Sequence, residues 1–194
     1  MMFSPNSPWL VAVLGVTALT ALGCEPGGVG DPCIPEDEYQ VTFGGYAETE
    51  ADVETKSFQC VTRVCLVNHF RGRVSCPYGQ AKGAGDCSVP GTDGTDPNDV
   101  ITEAVAAQIV DRQAEKAVYC SCRCDGPDAN ARYCECPSGF SCTELIPDLG
   151  AAFSGAQLSG SYCVKDGTQY NQNITKIDCR ADGQGGGDCG PAKL

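Results

Sequence analysis

Cysteine side chains are the residues of this chain best suited to chemistry, because 15 of its 194 residues are cysteines. Two groups are closely spaced, Cys120-Ser-Cys-Arg-Cys124 and Cys134-Glu-Cys136. Thiolates at such spacing can bind zinc or copper(I), whereas in an oxidising compartment the same side chains form disulfides. The compartment therefore decides which chemistry these groups perform.

Other catalytic residue types are sparse. His69 is the only histidine, so a Cys–His nucleophile pair would need it together with a free thiol; the alternative is a surface histidine in a turn. The sequence contains no Gly-x-Ser-x-Gly, His-Glu-x-x-His or Cys-x-x-Cys motif. A hydrolase with a converging pair of carboxylates stays open, but the acidic residues are too scattered to nominate a pair.

Two charged groups could bind ions. Arg63, Arg71 and Arg73 cluster in an otherwise acidic chain and could recognise a carboxylate or phosphate, or pair with nearby Asp and Glu. The acidic stretch 93–103 could supply oxygen ligands to calcium, but its spacing does not fit an EF-hand loop, and a solvated loop is the alternative. We predict no metal and no cofactor.

The N-terminus indicates export. Residues 9–23 are uncharged and mostly apolar. The segment has about the length of a signal-peptide hydrophobic core and is shorter than a typical membrane-spanning helix. Ala21-Leu-Gly-Cys24 resembles the bacterial lipobox. The resemblance implies removal of a signal peptide (1–23) and modification of Cys24 with acyl chains such as palmitate. An ordinary cleaved signal and a short uncleaved anchor are the alternatives.

The exported context favours disulfides over thiolates, since the even number of cysteines after Cys24 can pair completely. The density of cysteines and the Gly-Asp-Pro-Cys33 opening are similar to the cysteine-rich lipoproteins that gliding, social soil bacteria make. Residues 134–142 resemble the end of an EGF-like module, which implies a small disulfide-rich β module. The disulfide candidates are Cys33, Cys60, Cys65, Cys76, Cys87, Cys120, Cys122, Cys124, Cys134, Cys136, Cys142, Cys163, Cys179 and Cys189.

The predicted fold is small, disulfide-rich and mainly β, with short hairpins, long loops and at most one helix, near 97–115. Ile101, Val105 and Ile109 would line one face of that helix, and an extended acidic loop is the alternative. Large core-forming side chains are few, so the fold must rely on covalent links. A hairpin is also expected around Gly72.

Cysteine parity constrains the domain organisation. After Cys24 and a flexible tether (24–40), the body is expected to be one interlocked domain, 41–194. Sub-regions 41–87 and 118–189 are joined by loop 88–99 and the possible helix. Five body cysteines precede the loop and nine follow it, so full pairing requires at least one bridge across it.

One local pairing can be proposed for the closely spaced groups. If they form an antiparallel hairpin, Cys124 can face Cys134. In the same register Cys122 can face Cys136. Cys120 would then pair elsewhere, and other connectivities remain open.

A net charge of −12 argues against nucleic acid as a partner. We expect a noncatalytic protein of the bacterial cell envelope, attached to the membrane through Cys24 at the outer membrane or cell surface. It would present a rigid acidic surface to an envelope protein or glycan, for binding, adhesion or envelope assembly. The alternative is a metal- or thiol-active envelope protein that uses the Cys120–Cys136 cluster.

Overall fold

The computed structural model describes residues 26–148, 156–173, 175–180 and 189. The predicted signal peptide and the predicted lipidation site, Cys24, lie outside these residues. Among the described residues, no helix combines the length and apolar character that crossing a bilayer requires.

Two three-stranded antiparallel sheets form the framework. The first has the order β1-β2-β3, and its strands are β1 (Ala51–Glu54), β2 (Val64–Asn68) and β3 (Val118–Ser121). The second has the order β4-β6-β5, and its strands are β4 (Arg123–Asp125), β5 (Phe140–Ile146) and β6 (Gly160–Lys165). The helical elements described are three 3-10 helices, Glu36–Tyr39, Val110–Arg112 and Ala156–Leu158, and a single turn of α-helix, α1 (Ala114–Ala117). The predicted small, mainly β fold is confirmed.

The central strand β2 lies between two of the three buried apolar clusters, and the third contains Ile101 and Val105. Leu66 is fully buried and packs on one side with Tyr119 and Tyr162. Val67 packs on the other side, in the cluster that contains Phe70. Alternation along a strand sends neighbouring side chains to opposite faces, so β2 carries apolar side chains on both faces from Val64 to Val67 and ends at the buried polar Asn68. Tyr162 belongs to β6, so the first of these clusters joins the two sheets.

Seven disulfides tie this thin core together and pair all 14 body cysteines. They are Cys33–Cys65, Cys60–Cys120, Cys76–Cys87, Cys122–Cys134, Cys124–Cys142, Cys136–Cys163 and Cys179–Cys189. The bridge that parity requires across loop 88–99 is Cys60–Cys120, which crosslinks the two sub-regions.

A helix does not extend over 97–115. Ile101, Val105 and Ile109 are buried, as the pattern predicts, but their backbone is extended or turned. Val105 forms a β-bridge with Gln80, and Ile109 forms one with Asp178. A spacing of four fits one face of a helix and also one face of an extended chain, so burial alone could not separate the two. Only α1, at the end of the range, is α-helical.

The hairpin expected around Gly72 is replaced by a longer-range pairing. Gly72 forms a two-way backbone bridge with Tyr46, with N···O distances of 2.8 and 3.0 Å. The φ of Gly72 is +86°, and a Cβ atom there would lie 2.2 Å from the carbonyl oxygen of Ala106. Glycine is required at this position because the backbone of residue 106 occupies the space of a side chain.

Most of the predicted tether, 24–40, is folded onto the body. Gly30 donates its N–H to the carbonyl of Cys120, and Cys120 donates to the carbonyl of Asp31. Pro32 forms a β-bridge with Tyr119, and Cys33 is 1% exposed. Paired backbone and a disulfide hold these residues, so chain from Gly27 onward cannot act as a flexible spacer.

Candidate functional site

A cavity of about 400 Å³ opens beside the first sheet. Its walls come from the first 3-10 helix, from the end of β1 and from a loop at 57–63. The lining residues are Ile34, Glu36, Tyr39, Glu54, Lys56, Ser57, Phe58, Gln59 and Arg63. The cavity combines two exposed aromatic rings with side chains of both charges, so it is suited to binding.

The acidic wall of the cavity continues along the edge strand β1. Burial raises the pKa of the Glu54 carboxyl, the backbone N–H of Glu36 lowers it, and the charges of Glu36, Asp37 and Asp52 raise it. The pKa of Asp52 is raised by burial, and Asp37 and Glu50 add to the effect. We call Glu36, Asp37, Glu50, Asp52 and Glu54 the acidic face. These carboxylates repel one another, and a cationic partner would relieve that repulsion.

Glu38 and Arg73 form a buried pair, a contact that was not predicted from the sequence. Both side chains are fully buried. The Glu38 carboxylate accepts N–H groups from Val74 and from Ser75, the latter at 3.0 Å. Burial raises the pKa of Glu38, and these two bonds and the Arg73 charge lower it. The pair fastens the first 3-10 helix to residues 73–75, a structural role.

The three predicted anion-binding arginines have separate environments. Arg73 donates to the backbone carbonyls of Glu38 and Phe43, so its guanidinium is inside the protein. Arg71 forms an ion pair with Asp178. Arg63 lies on the surface, with its guanidinium 4.1 Å from the centre of the Phe58 ring. Of the three, Arg63 is therefore the one whose charge lies at the cavity.

The acidic stretch 93–103 forms local turns. Asp93 accepts hydrogen bonds from the backbone N–H and hydroxyl of Thr95 at 3.0 and 2.7 Å, and these lower its pKa. Asp96 accepts two from Asn98. Glu103 pairs with Lys82 at 3.2 Å, and Asp99 donates its backbone N–H to Asp96. These bonds stabilise the turns themselves.

The ring of His69 contacts an aromatic side chain and a backbone carbonyl. Its ring stacks on Tyr170 with centroids 4.1 Å apart, and its Nδ1 lies 3.1 Å from the carbonyl of Glu48. Burial and, more weakly, the charge of Arg112 lower its pKa. All body cysteines are paired, so His69 has no thiol to activate.

The closely spaced cysteines pair differently from the hairpin hypothesis. Cys122 bonds to Cys134, whereas Cys124 bonds to Cys142. Cys136 bonds to Cys163. The ladder partner of β4 is β6, which lies far along the chain. Cys134 still donates its backbone N–H to the carbonyl of Arg123 in β4 at 3.0 Å, but the cysteine pairs expected of a local hairpin do not form. The prediction that Cys120 pairs elsewhere holds, since its partner is Cys60.

The sulfurs of these bridges lie close together. The Sγ atom of Cys163 is 3.6 Å from that of Cys122 and 3.7 Å from that of Cys134. Within the part of the chain that the structure describes, the groups of three or more possible metal ligands within 4.8 Å of one another consist of cysteines alone. Each of these sulfurs is in a disulfide, so none is a thiolate ligand in this state.

A second cavity, of about 330 Å³, is lined by Asp125, Glu144 and Asp148 together with Gly160 and Ser161. Its carboxylates come from β4, β5 and the residues that follow β5. Acidic side chains that are far apart in the sequence therefore line this second cavity together. Their proximity could not be predicted from the sequence.

Comparison with models of known protein families, with characterised proteins and with solved structures finds no match for this chain. The class of the protein therefore rests on its own residues: a small β protein crosslinked by seven disulfides.

Proposed function

We propose that this chain is a noncatalytic lipoprotein of a bacterial cell envelope, acylated at Cys24. Its role would be to present a rigid acidic surface to an envelope protein or glycan for binding, adhesion or envelope assembly. The observation that carries the proposal is the pairing of all 14 body cysteines in seven disulfides. Such complete pairing suits an exported protein and leaves no thiol for catalysis.

The acidic face is the best candidate for the contact surface. It lies on an edge strand and on a 3-10 helix, and Cys33–Cys65 and the buried Glu38–Arg73 pair hold that helix against the body. A surface that is already ordered loses little conformational entropy on binding. Its mutual carboxylate repulsion favours a partner that brings positive charge, and the electrostatic attraction would speed association at low salt.

An intact mass of the protein purified from its native membrane, alkylated before and after reduction, tests the proposal. We expect an acylated N-terminal Cys24 and no alkylation until the protein is reduced. A mass without acyl chains would contradict the proposed lipid anchor at Cys24. Two or more thiols that react without reduction would overturn the fully bridged body.

The second of those results would favour the alternative, a metal- or thiol-active protein. The specific observation behind it is the proximity of the Cys122, Cys134 and Cys163 sulfurs. If these bridges were open in the native protein, three thiolates would lie close enough to share one zinc or copper(I) ion. Metal analysis of the same purified sample separates the two functions.

A further inference from the structure

Loop 57–63 exposes two large apolar side chains to solvent. Phe58 is 79% exposed and Val61 is 64% exposed. The other large apolar side chains described as exposed, among them Tyr39 at 49% and Ile177 at 42%, are better covered. An apolar side chain left in water contributes none of the stabilisation that its burial would give. A chain with so few large apolar residues would gain stability by burying these two, so their exposure calls for a partner.

Several bonds hold the loop in this exposed position. Ser57 donates its backbone N–H to the carbonyl of Arg63 at 3.1 Å, which closes the loop. Cys60 is bridged to Cys120 of β3. The Gln59 amide accepts the N–H of Ile34 at 3.0 Å and donates to its carbonyl at 2.7 Å. The apolar side chains are therefore presented by a fixed scaffold and cannot fold back into the core.

The loop itself carries positive charge, whereas Glu36 and Glu54 line the cavity beside it. Residues 55–63 contain Lys56 and Arg63 and no acidic residue. Both basic side chains are exposed, and the guanidinium of Arg63 stacks on Phe58. In a chain of net charge −12 this is a local exception. Aromatic and aliphatic tips flanked by Lys or Arg suit the boundary between acyl chains and phosphate headgroups.

The N-terminal segment is joined directly to this loop. Gly27 donates its N–H to the carbonyl of Gln59 at 2.7 Å, and Val61 donates to the carbonyl of Gly27 at 2.9 Å. Only three peptide units separate Gly27 from Cys24, so the two Cα atoms lie within about 11 Å of each other whatever path the chain takes. A lipid on Cys24 would therefore bring the bilayer surface to loop 57–63.

We propose that loop 57–63 is a membrane-contacting tip, in which Phe58 and Val61 enter the interfacial region of the bilayer and Lys56 and Arg63 contact lipid phosphates. This inference rests on the proposed acylation of Cys24. It gives the anchored body a fixed orientation, because a short link to lipid and a second apolar contact together restrict rotation. From Glu54, next to the loop, β1 leads back to Asp52 and Glu50, so the acidic face extends from the tip toward the aqueous side.

Tryptophan fluorescence provides the test, since the only tryptophan, Trp9, lies in the predicted signal peptide. The Phe58→Trp variant, purified from the membrane of its native host, is reconstituted into vesicles of phosphatidylethanolamine and phosphatidylglycerol that carry a headgroup spin label. We expect emission shifted to the blue and quenched by the label. The matched control is Ile177→Trp, at an exposed apolar position on segment 175–180, which we expect to emit as in water and to escape quenching.

Each other outcome overturns the inference in a distinguishable way. If the protein floats with the vesicles but the Phe58→Trp emission remains that of an exposed indole, the anchor stands and the membrane-contacting tip does not. If the protein does not float with the vesicles, the result contradicts the proposed acylation and also the membrane-contacting tip that depends on it. A blue shift without quenching means that another part of the chain, a second copy or a protein partner covers the loop, which also excludes membrane contact.

Discussion

Cys65 and Cys120 lie directly opposite each other on β2 and β3, yet they are not bonded to each other. Cys65 bonds to Cys33 and Cys120 bonds to Cys60. Cys142 and Cys163 repeat the arrangement across β5 and β6, again with separate partners. The first sheet is thus crosslinked to the N-terminal segment and to loop 57–63, and the second to the loop that contains Cys136. Cys124–Cys142 instead joins β4 and β5, the two outer strands of the second sheet. These disulfides reinforce connections that the hydrogen-bond ladders do not make.

The Cys60–Cys120 bridge should contribute more to stability than a local one. Replacing both cysteines with serine is expected to lower the free energy of unfolding by about 2–5 kcal/mol, because the bridge closes a long loop and fixes loop 57–63. The control is the double serine variant of Cys76 and Cys87. Their separation is 11 residues instead of 60, so its loss should be smaller by about 1.5 kcal/mol on loop entropy alone. Urea unfolding of both variants gives the comparison, and equal losses would contradict it.

The raised pKa of Asp52 predicts a pH dependence of stability. A carboxyl whose pKa is higher in the folded than in the unfolded state destabilises the fold as pH rises above its unfolded value. Asp52→Asn should therefore raise the free energy of unfolding at pH 7 and leave it nearly unchanged at pH 3. The mechanism is removal of a partly buried charge that Asp37 and Glu50 repel.

Glu48→Gln is the control of opposite sign for Asp52→Asn. A hydrogen bond from Lys176 lowers the pKa of Glu48, so its contribution is present at neutral pH and lost as pH falls through the folded pKa. The variant should lower the free energy of unfolding at pH 7 and have little effect at pH 3. Both are measured by chemical unfolding at the two pH values, and a same-sign change at pH 7 would refute the electrostatic account.

Gly72 should tolerate no side chain. Gly72→Ala places a Cβ against the carbonyl of Ala106 and also imposes a left-handed conformation on alanine. Gly83→Ala separates the two effects, because Gly83 has a φ of +78° and no atom within 4 Å of an added Cβ. We expect a loss of about 1–2 kcal/mol at Gly83 and a clearly larger loss at Gly72. Thermal unfolding measures both, and similar values would mean that the backbone near residue 106 moves aside.

His69 should titrate below its ordinary pKa of 6.5, because burial disfavours the imidazolium. As the only histidine, it gives a single set of ring signals in an NMR titration. The fold should therefore lose stability as the pH falls below about 6.5, since the unfolded state binds the proton more readily than the folded state. An unshifted or raised value would place the ring in water instead of against Tyr170.

The class of fold and the need for a disulfide between the two sub-regions could be predicted from the amino-acid sequence. The number of cysteines and the shortage of large apolar residues are properties of composition, so they do not depend on how the chain folds. Odd cysteine counts on both sides of loop 88–99 required a crosslink, though they could not say that Cys60 and Cys120 form it.

The disulfide partners, the backbone conformation of 97–115 and the packing of the predicted tether depend on contacts between distant parts of the chain. A four-residue apolar spacing is compatible with a helix and with an extended chain. The β-bridges to Gln80 and Asp178 hold this segment in the extended conformation. The local hairpin expected at the Cys120–Cys136 cluster does not form, because the ladder partner of β4 is β6, a strand far along the chain. Gly27 lies against loop 57–63 because of a pairing that no sequence window contains. Each outcome depends on long-range hydrogen bonds and packing, whose energies are set by residues that meet only in the folded protein.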